Sequence, residues 1–152
     1  MRALIQRVTR CSVSIHGTVH SSINDGMLIF LGVKIGDAQS DADDLAKRCL
    51  LLRIFEDDSE KMNLSVKDIR GEIMVVSQFT LYGDTRKGNR PSYTDAAPPP
   101  IAQVLYDRFI QVLREDLGDR RVASGVFRSM MDIELVNNGP VTLILESKVR
   151  KE

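Results

Sequence analysis

Met27-Leu28-Ile29-Phe30-Leu31 follows the turn signal Asn24-Asp25-Gly26 and is apolar at every position, with no alternation. A short run of this kind, bounded by turn residues, reads as a strand covered on both faces, so it is expected at the centre of a sheet. Upstream, Ala3 to Val8 and Ser12 to Ile15 are short β-rich runs, and His16-Gly17-Thr18 supplies a turn before Val19 to Ile23. Downstream, Gly71 to Leu81 is a second dense β run. The final third holds three more, Val122 to Phe127, Met131 to Val136 and Val141 to Glu146, the last two joined by Asn137-Asn138-Gly139-Pro140.

Two helices interrupt this pattern. Ser40 followed by Asp43 reads as a helix start, and Ala42, Leu45, Cys49 and Leu52 recur on one stripe. Pro98-Pro99-Pro100 stands where missing N–H groups cost nothing, and opens a helix with Ile101, Leu105, Phe109 and Val112 on one face and Gly118 as its stop. Two helices cannot shield both faces of so many strands. The expected fold is α/β (mixed α and β), a three-layer α/β/β arrangement of two stacked sheets with both helices on one outer face. Residues 1–147 are expected to form one domain and 148–152 a short solvated tail.

The chain has 152 residues, of which 43% are hydrophobic and 28% charged, and its 21 lysines and arginines balance 21 acids. That balance excludes a global positive field for nucleic acid, so any RNA contact must be local. No stretch approaches the roughly 18 apolar residues that span a bilayer, and a cytoplasmic protein is expected. Cys11 and Cys49 lack C-x-x-C spacing and read as reduced core thiols. His16 and His20 are separated by a turn with no Cys or acid cluster beside them, so neither metal nor cofactor is expected. Gly32-Val33-Lys34-Ile35-Gly36 lacks the spacing and hydroxyl of a phosphate loop.

Two segments are candidates for chemistry. Period-two alternation places Ile73, Val75, Ser77, Phe79 and Leu81 on one strand face and Met74, Val76, Gln78 and Thr80 on the other, so polar groups emerge only as the strand leaves the sheet. The alternative is a strand end whose hydroxyls merely satisfy nearby backbone. Asn138-Gly139 between β runs is by itself a tight-hairpin sequence. Pro140, however, cannot donate to a ladder, an X-Pro bond reaches cis at a cost of only about 0.5–1 kcal/mol, and Gly139 lets a carbonyl approach a ligand closely. Arg86-Lys87-Gly88-Asn89-Arg90 concentrates positive charge just after the first segment, in reach of RNA phosphates or simply solvated.

Ser77-Gln78-Phe79-Thr80-Leu81 together with Asn138-Gly139-Pro140-Val141-Thr142 closely resembles the paired signature of the D-aminoacyl-tRNA deacylases, and the likeness runs from Ala3 to about Leu145. It implies hydrolysis of the D-aminoacyl ester at the tRNA 3′ end. Ser77, Gln78, Phe79 and Thr80 would line the pocket, with the Phe79 N–H as oxyanion donor. A nucleophilic Thr80 would need an activating base that its sequence neighbours do not offer. The family's solution is instead a largely main-chain pocket in which the ribose 2′-hydroxyl assists.

By the same likeness, Asn138-Gly139-Pro140 carries a cis bond into the partner pocket of a homodimer. Its carbonyls would meet the substrate ammonium and exclude an L side chain, while any D side chain, and glycine, pass. Arg7 would brace this segment, with a surface edge-strand arginine as the alternative, and Met131 would line the pocket, with core filling as the alternative. Arg86, Lys87 and Arg90 would contact the tRNA. The sequence departs from the family at Gly83, where alanine or another small residue is usual, and at Tyr93, where phenylalanine is. Competing readings are an editing module for a wrong L-amino acid and a non-catalytic dimeric tRNA-binding protein.

Overall fold

A computed structural model describes residues 1–147, so the reading of Lys148 to Glu152 as a solvated tail lies outside the described residues. The main sheet has six strands: β1 (Arg2–Ile15), β2 (Thr18–Ile23), β3 (Gly26–Gly32), β6 (Glu72–Ser77), β7 (Val122–Ser124) and β8 (Asp132–Glu146). Their order is β2-β1-β3-β6-β7, with β8 on β1. The short β4 (Phe55–Glu56) and β5 (Met62–Leu64) form a separate ribbon. Helices α1 (Gln39–Leu50) and α2 (Pro99–Leu117) make the two crossovers that leave β3, β6 and β7 parallel.

The unalternating strand sits at the sheet centre. Met27, Ile29 and Leu31 face one core with Ile73 and Val75, under Leu45, Cys49, Phe109 and Leu113 of the helices. Leu28 faces the other core with Met74 and Val76, against Cys11, Val13 and Ile23. Both faces are therefore dry, which removes any reason for polar alternation. Fully burying a side chain such as Phe109 contributes about 1.5–3 kcal/mol. The two stacked strand layers are continuous through β1. Its first half pairs with β3, and its second half pairs with β2 and the start of β8, folding over the far face.

Several local readings change. The β-rich runs at the N-terminus are one strand, turned into β2 by His16 and Gly17, both at positive φ. Helix α1 begins one residue before Ser40, and it is Asp41, not Asp43, that reaches back to accept the Ala38 N–H at 2.8 Å. Asp43 instead pairs with Arg108 at 2.6 Å and ties α1 to α2. Ile101 is exposed, and Ala102 takes its place on the buried stripe of α2. Gly118 ends that helix at φ 84°. Cys11 and Cys49 are buried and unpaired, and burial pushes their thiols up to about 11 and about 12, leaving too little thiolate for chemistry.

Asn137 to Pro140 is not a hairpin turn. The runs on either side belong to the single strand β8, which pairs with β1 along its length. Gln6 opposes Thr142 and Val8 opposes Asn137, so four residues, Asn138 to Val141, stand opposite Arg7 alone. The chain bulges there, and Pro140 lies where no ladder N–H is needed. The Asn137 side-chain amide spans the gap, donating to Arg7 O at 3.0 Å and Val141 O at 3.1 Å.

Candidate active site

Strand β6 stops at Ser77, opposite Leu31. Gln78 N–H makes one last bond to Leu31 O at 2.8 Å, and Phe79–Tyr82 then turns as a 3-10 helix. The period-two reading therefore fails from Phe79 onward, and the candidate segment is a turn mounted on a buried strand. Gly32 permits the turn: a Cβ there would lie 3.1 Å from the Tyr82 ring and 3.2 Å from Gln78 O. Phe79 is the first residue of the turn, where an N–H has no acceptor within the helix.

Ser77, Gln78 and Phe79 line a cavity of about 470 Å³. Pro99 and Ala102 from the first turn of α2 form another wall with Ala97, and Met131, just before β8, forms a third with Ile133 of that strand. The loop after β7 closes the back with Phe127, Arg128 and Ser129. Met131 is held against that loop by Gly125, whose added Cβ would meet Met131 Sδ at 2.6 Å. Among these lining residues Arg128 is the only one with an ionisable side chain; histidine, lysine, cysteine and carboxylates are absent from the wall. Among the described residues no group of three or more His, Cys, Asp or Glu is placed to hold a metal ion.

Thr80 is not part of the lining, and its hydroxyl accepts from Gln78 Nε2. The exposed Phe79 ring stands edge-on to Tyr93 at 5.1 Å between centroids. Gly83 packs directly against the Tyr93 ring. A Cβ on residue 83 would come within 3.0 Å of Tyr93 Cε1, so glycine makes room for that ring.

Asn138, Gly139 and Pro140 are exposed and outside the cavity of their own chain. Gly139 lies eight positions beyond Met131, up to about 26 Å along an extended strand. The Gly139-Pro140 bond is cis. Arg7 lies beneath the bulge and is only 4% exposed, in the interior of the sheet and not at an edge. Its Nε donates to Asn138 O at 3.1 Å, Nη1 to Ile54 O at 2.7 Å, and Nη2 to Asn138 Oδ1 at 3.4 Å and Gly139 O at 3.5 Å. Glu56 stands 3.8 Å away as its counter-charge. A planar fork satisfies several carbonyls at once, which a lysine ammonium would not.

Arg86, Lys87 and Arg90 lie in the loop closed by the Asp84–Ser92 bridge. Arg86 is not a free cation. Its Nε and Nη2 donate to the Asp84 carboxylate at 2.9 and 2.7 Å. These bonds, with the Arg86 backbone N–H, lower the Asp84 carboxyl to about 2. A depressed carboxylate stays charged above that range and loses its charge only as pH falls through about 2, so at neutral pH the Arg86 guanidinium faces an opposite charge. The uncompensated charge in the loop is that of Lys87 and Arg90, neither of which forms an ion pair among the described residues.

The family model described as D-Tyr-tRNA(Tyr) deacylase matches residues 4–146. A D-aminoacyl-tRNA deacylase of Desulfatibacillum aliphaticivorans is 52% identical over 148 residues, covering 97% of this chain and 100% of the relative. One of Carboxydothermus hydrogenoformans is 49% identical over 146 residues, covering 96% and 99%. Among solved structures, one titled c-Myc DNA Unwinding Element Binding Protein superposes with a TM-score of 0.93 at 39% identity, covering 98% of this chain and 100% of that one. A structure titled as a probable eukaryotic D-amino acid tRNA deacylase shares the fold, with a TM-score of 0.81 at 17% identity.

The molecule is thus a hydrolase of the ester bond in aminoacyl-tRNA. More particularly, the chain belongs to the D-aminoacyl-tRNA deacylase family and releases D-amino acid from tRNA.

Proposed function

We propose that the ester is hydrolysed by main chain and substrate together, and that the wrong hand is excluded by a second copy of the chain. The observation that carries this reading is the composition of the cavity wall, which offers no side-chain base. A general base must lie within hydrogen-bond reach of the proton it takes. With none in the wall, the ribose 2′-hydroxyl of the terminal nucleotide is the nearest group able to assist water at the 3′ ester. The Phe79 N–H is a preorganised donor for the developing oxyanion, a role worth about 3–4 kcal/mol in other acyl-transfer sites. Thr80, engaged by Gln78 and set back from the cavity, shapes the turn and does not attack.

The bulge at Asn138-Gly139-Pro140 points to a homodimer. It is exposed, it is outside its own cavity, and a buried arginine spends several donors on holding it. In a two-fold dimer each bulge enters the partner's cavity, beside Met131, where the Gly139 and Pro140 carbonyls meet the substrate ammonium and leave no room for an L side chain. Such a filter ignores the identity of the D side chain, and it passes glycine. The reading places one deacylase domain over residues 1–147 in the cytoplasm, where translation supplies its substrate. Among the described residues no helix is long and apolar enough to cross a membrane.

Release of D-tyrosine, L-tyrosine and glycine from the same tRNA is the test. Wild type should release D-tyrosine and glycine and spare L-tyrosine, and Thr80→Ala should retain most of its turnover. Equal D and L rates would remove the chiral filter, and a dead but folded Thr80→Ala that still binds tRNA would restore the nucleophile. Charge reversal at Lys87 and Arg90 should weaken tRNA binding and flatten its salt dependence, by about 0.7 in log–log slope for each phosphate no longer neutralised. An unchanged slope would return the loop to bulk solvent.

A further inference from the structure

The turn Phe79–Tyr82 is flanked by two hydrogen bonds, Leu81 N–H to Gln78 O at 3.2 Å where it starts and Gly83 N–H to Thr80 O at 2.9 Å where it ends. One turn of 3-10 helix does not support itself, because nucleation costs more than so few bonds return. Its entry is fixed by the Gln78 bond to β3. Its exit is fixed by Arg2, the first residue of β1. Arg2 Nη1 donates to Leu81 O at 2.7 Å, and its guanidinium lies over the Tyr82 ring at 4.9 Å from the centroid. On the other side Arg2 Nε donates to Glu146 Oε1 at 2.7 Å, and Glu146 is its register partner at the end of β8.

We propose that Arg2 is a positioning residue for deacylation: locked by Glu146, it pins the exit of the turn and so aims the Phe79 N–H. The inference rests on the oxyanion role given to that N–H. Arg2 and Tyr82 line a separate recess with Glu146, outside the substrate cavity, so Arg2 acts on the reaction only through the turn. Its side chain is 33% exposed and that of Glu146 56%, and ion pairs this exposed contribute little to folding. An oxyanion donor, by contrast, loses its effect on displacements well under an ångström. The arrangement therefore predicts a loss of rate that outruns the loss of stability.

Steady-state and single-turnover deacylation of D-tyrosyl-tRNA by Arg2→Met, Arg2→Lys and Glu146→Gln tests this, with Tm measured alongside. Arg2→Met should lower kcat by roughly tenfold or more with KM within about twofold. Arg2→Lys should recover part of that loss, since an ammonium reaches one acceptor but cannot fork, and Glu146→Gln should lose less than Arg2→Met. A folded Arg2→Met with wild-type kcat, or a loss confined to KM, overturns the proposal. If Arg2→Met does not fold, wild-type kcat in both other variants overturns it equally. Failure of the oxyanion reading looks different, because Phe79→Pro would then lose no more activity than Phe79→Ala, which keeps the N–H.

Discussion

Phe79→Pro is expected to slow deacylation by about 10²–10³-fold while leaving tRNA binding within a few-fold of wild type. Proline is suited to the first position of a helical turn: it lacks only an N–H that has no partner within the turn, and its φ near −65° falls in the 3-10 range. Gln78, which precedes it, has φ −144° and ψ 79°, outside the α region that proline disfavours in its neighbour. The substitution also removes an aromatic ring that touches Tyr93, so Phe79→Ala is the necessary companion. Phe79→Ala keeps the N–H and should keep most of the rate. Parallel kcat and KM measurements on both variants separate donor from ring. Equal losses in the two would assign the effect to the ring and leave the oxyanion without a main-chain donor.

Gly139→Ala is expected to cost about 100-fold in activity with an unchanged Tm. Within its own chain the substitution is harmless, since the added Cβ would meet only Asn137 Oδ1 at an ordinary 3.6 Å. Its backbone is also not in the left-handed region that would penalise a side chain. If Gly139 enters the partner's cavity, the same methyl occupies space that the substrate ammonium and Cα need. The combination of a silent effect on folding and a large effect on turnover is what distinguishes a trans-acting residue from a structural one. Deacylation rate and thermal melting of the purified variant are the two readings, and wild-type activity would contradict the clamp.

How far the chain can be read without coordinates varies with how local the cause is. The centre of the sheet, the proline-led start of α2 and its glycine stop depend on adjacent residues, and the structure has them where the pattern puts them. The exit of β6 into a 3-10 turn is not legible in the sequence. It is set by Gly32 and Arg2, which lie far from Phe79 along the chain and carry no mark of that role. The bulge in β8 reads as a hairpin from sequence, because Asn-Gly suits both and only pairing with β1 distinguishes them. Arg86 has the look of a phosphate ligand, yet its pairing with Asp84, two residues upstream, is readable in principle.

The cavity is legible only in part. Ser77, Gln78, Phe79 and Met131 stand out in the sequence and meet around one cavity, whereas Thr80 is set back from it. The back of the cavity, Phe127, Arg128 and Ser129, gives no signal beyond Gly125, whose need for close approach by Met131 is visible only in three dimensions. Arg7 meets Asn138 and Gly139, with Pro140 beside them, but these residues lie outside their own chain's cavity, and the proposed site would need a second chain.

That dependence is the centre of the account, and mixing two inactive variants tests it directly. Phe79→Pro would spoil a cavity and keep its bulge; Gly139→Ala would spoil a bulge and keep its cavity. After equal amounts are unfolded and refolded together, half the dimers are mixed, and each holds one site with both wild-type parts. D-tyrosyl-tRNA deacylation should then return to about a quarter of the wild-type level, from two proteins that are nearly inactive alone. Activity no greater than the sum of the separate variants would mean that cavity and bulge do not meet across a dimer.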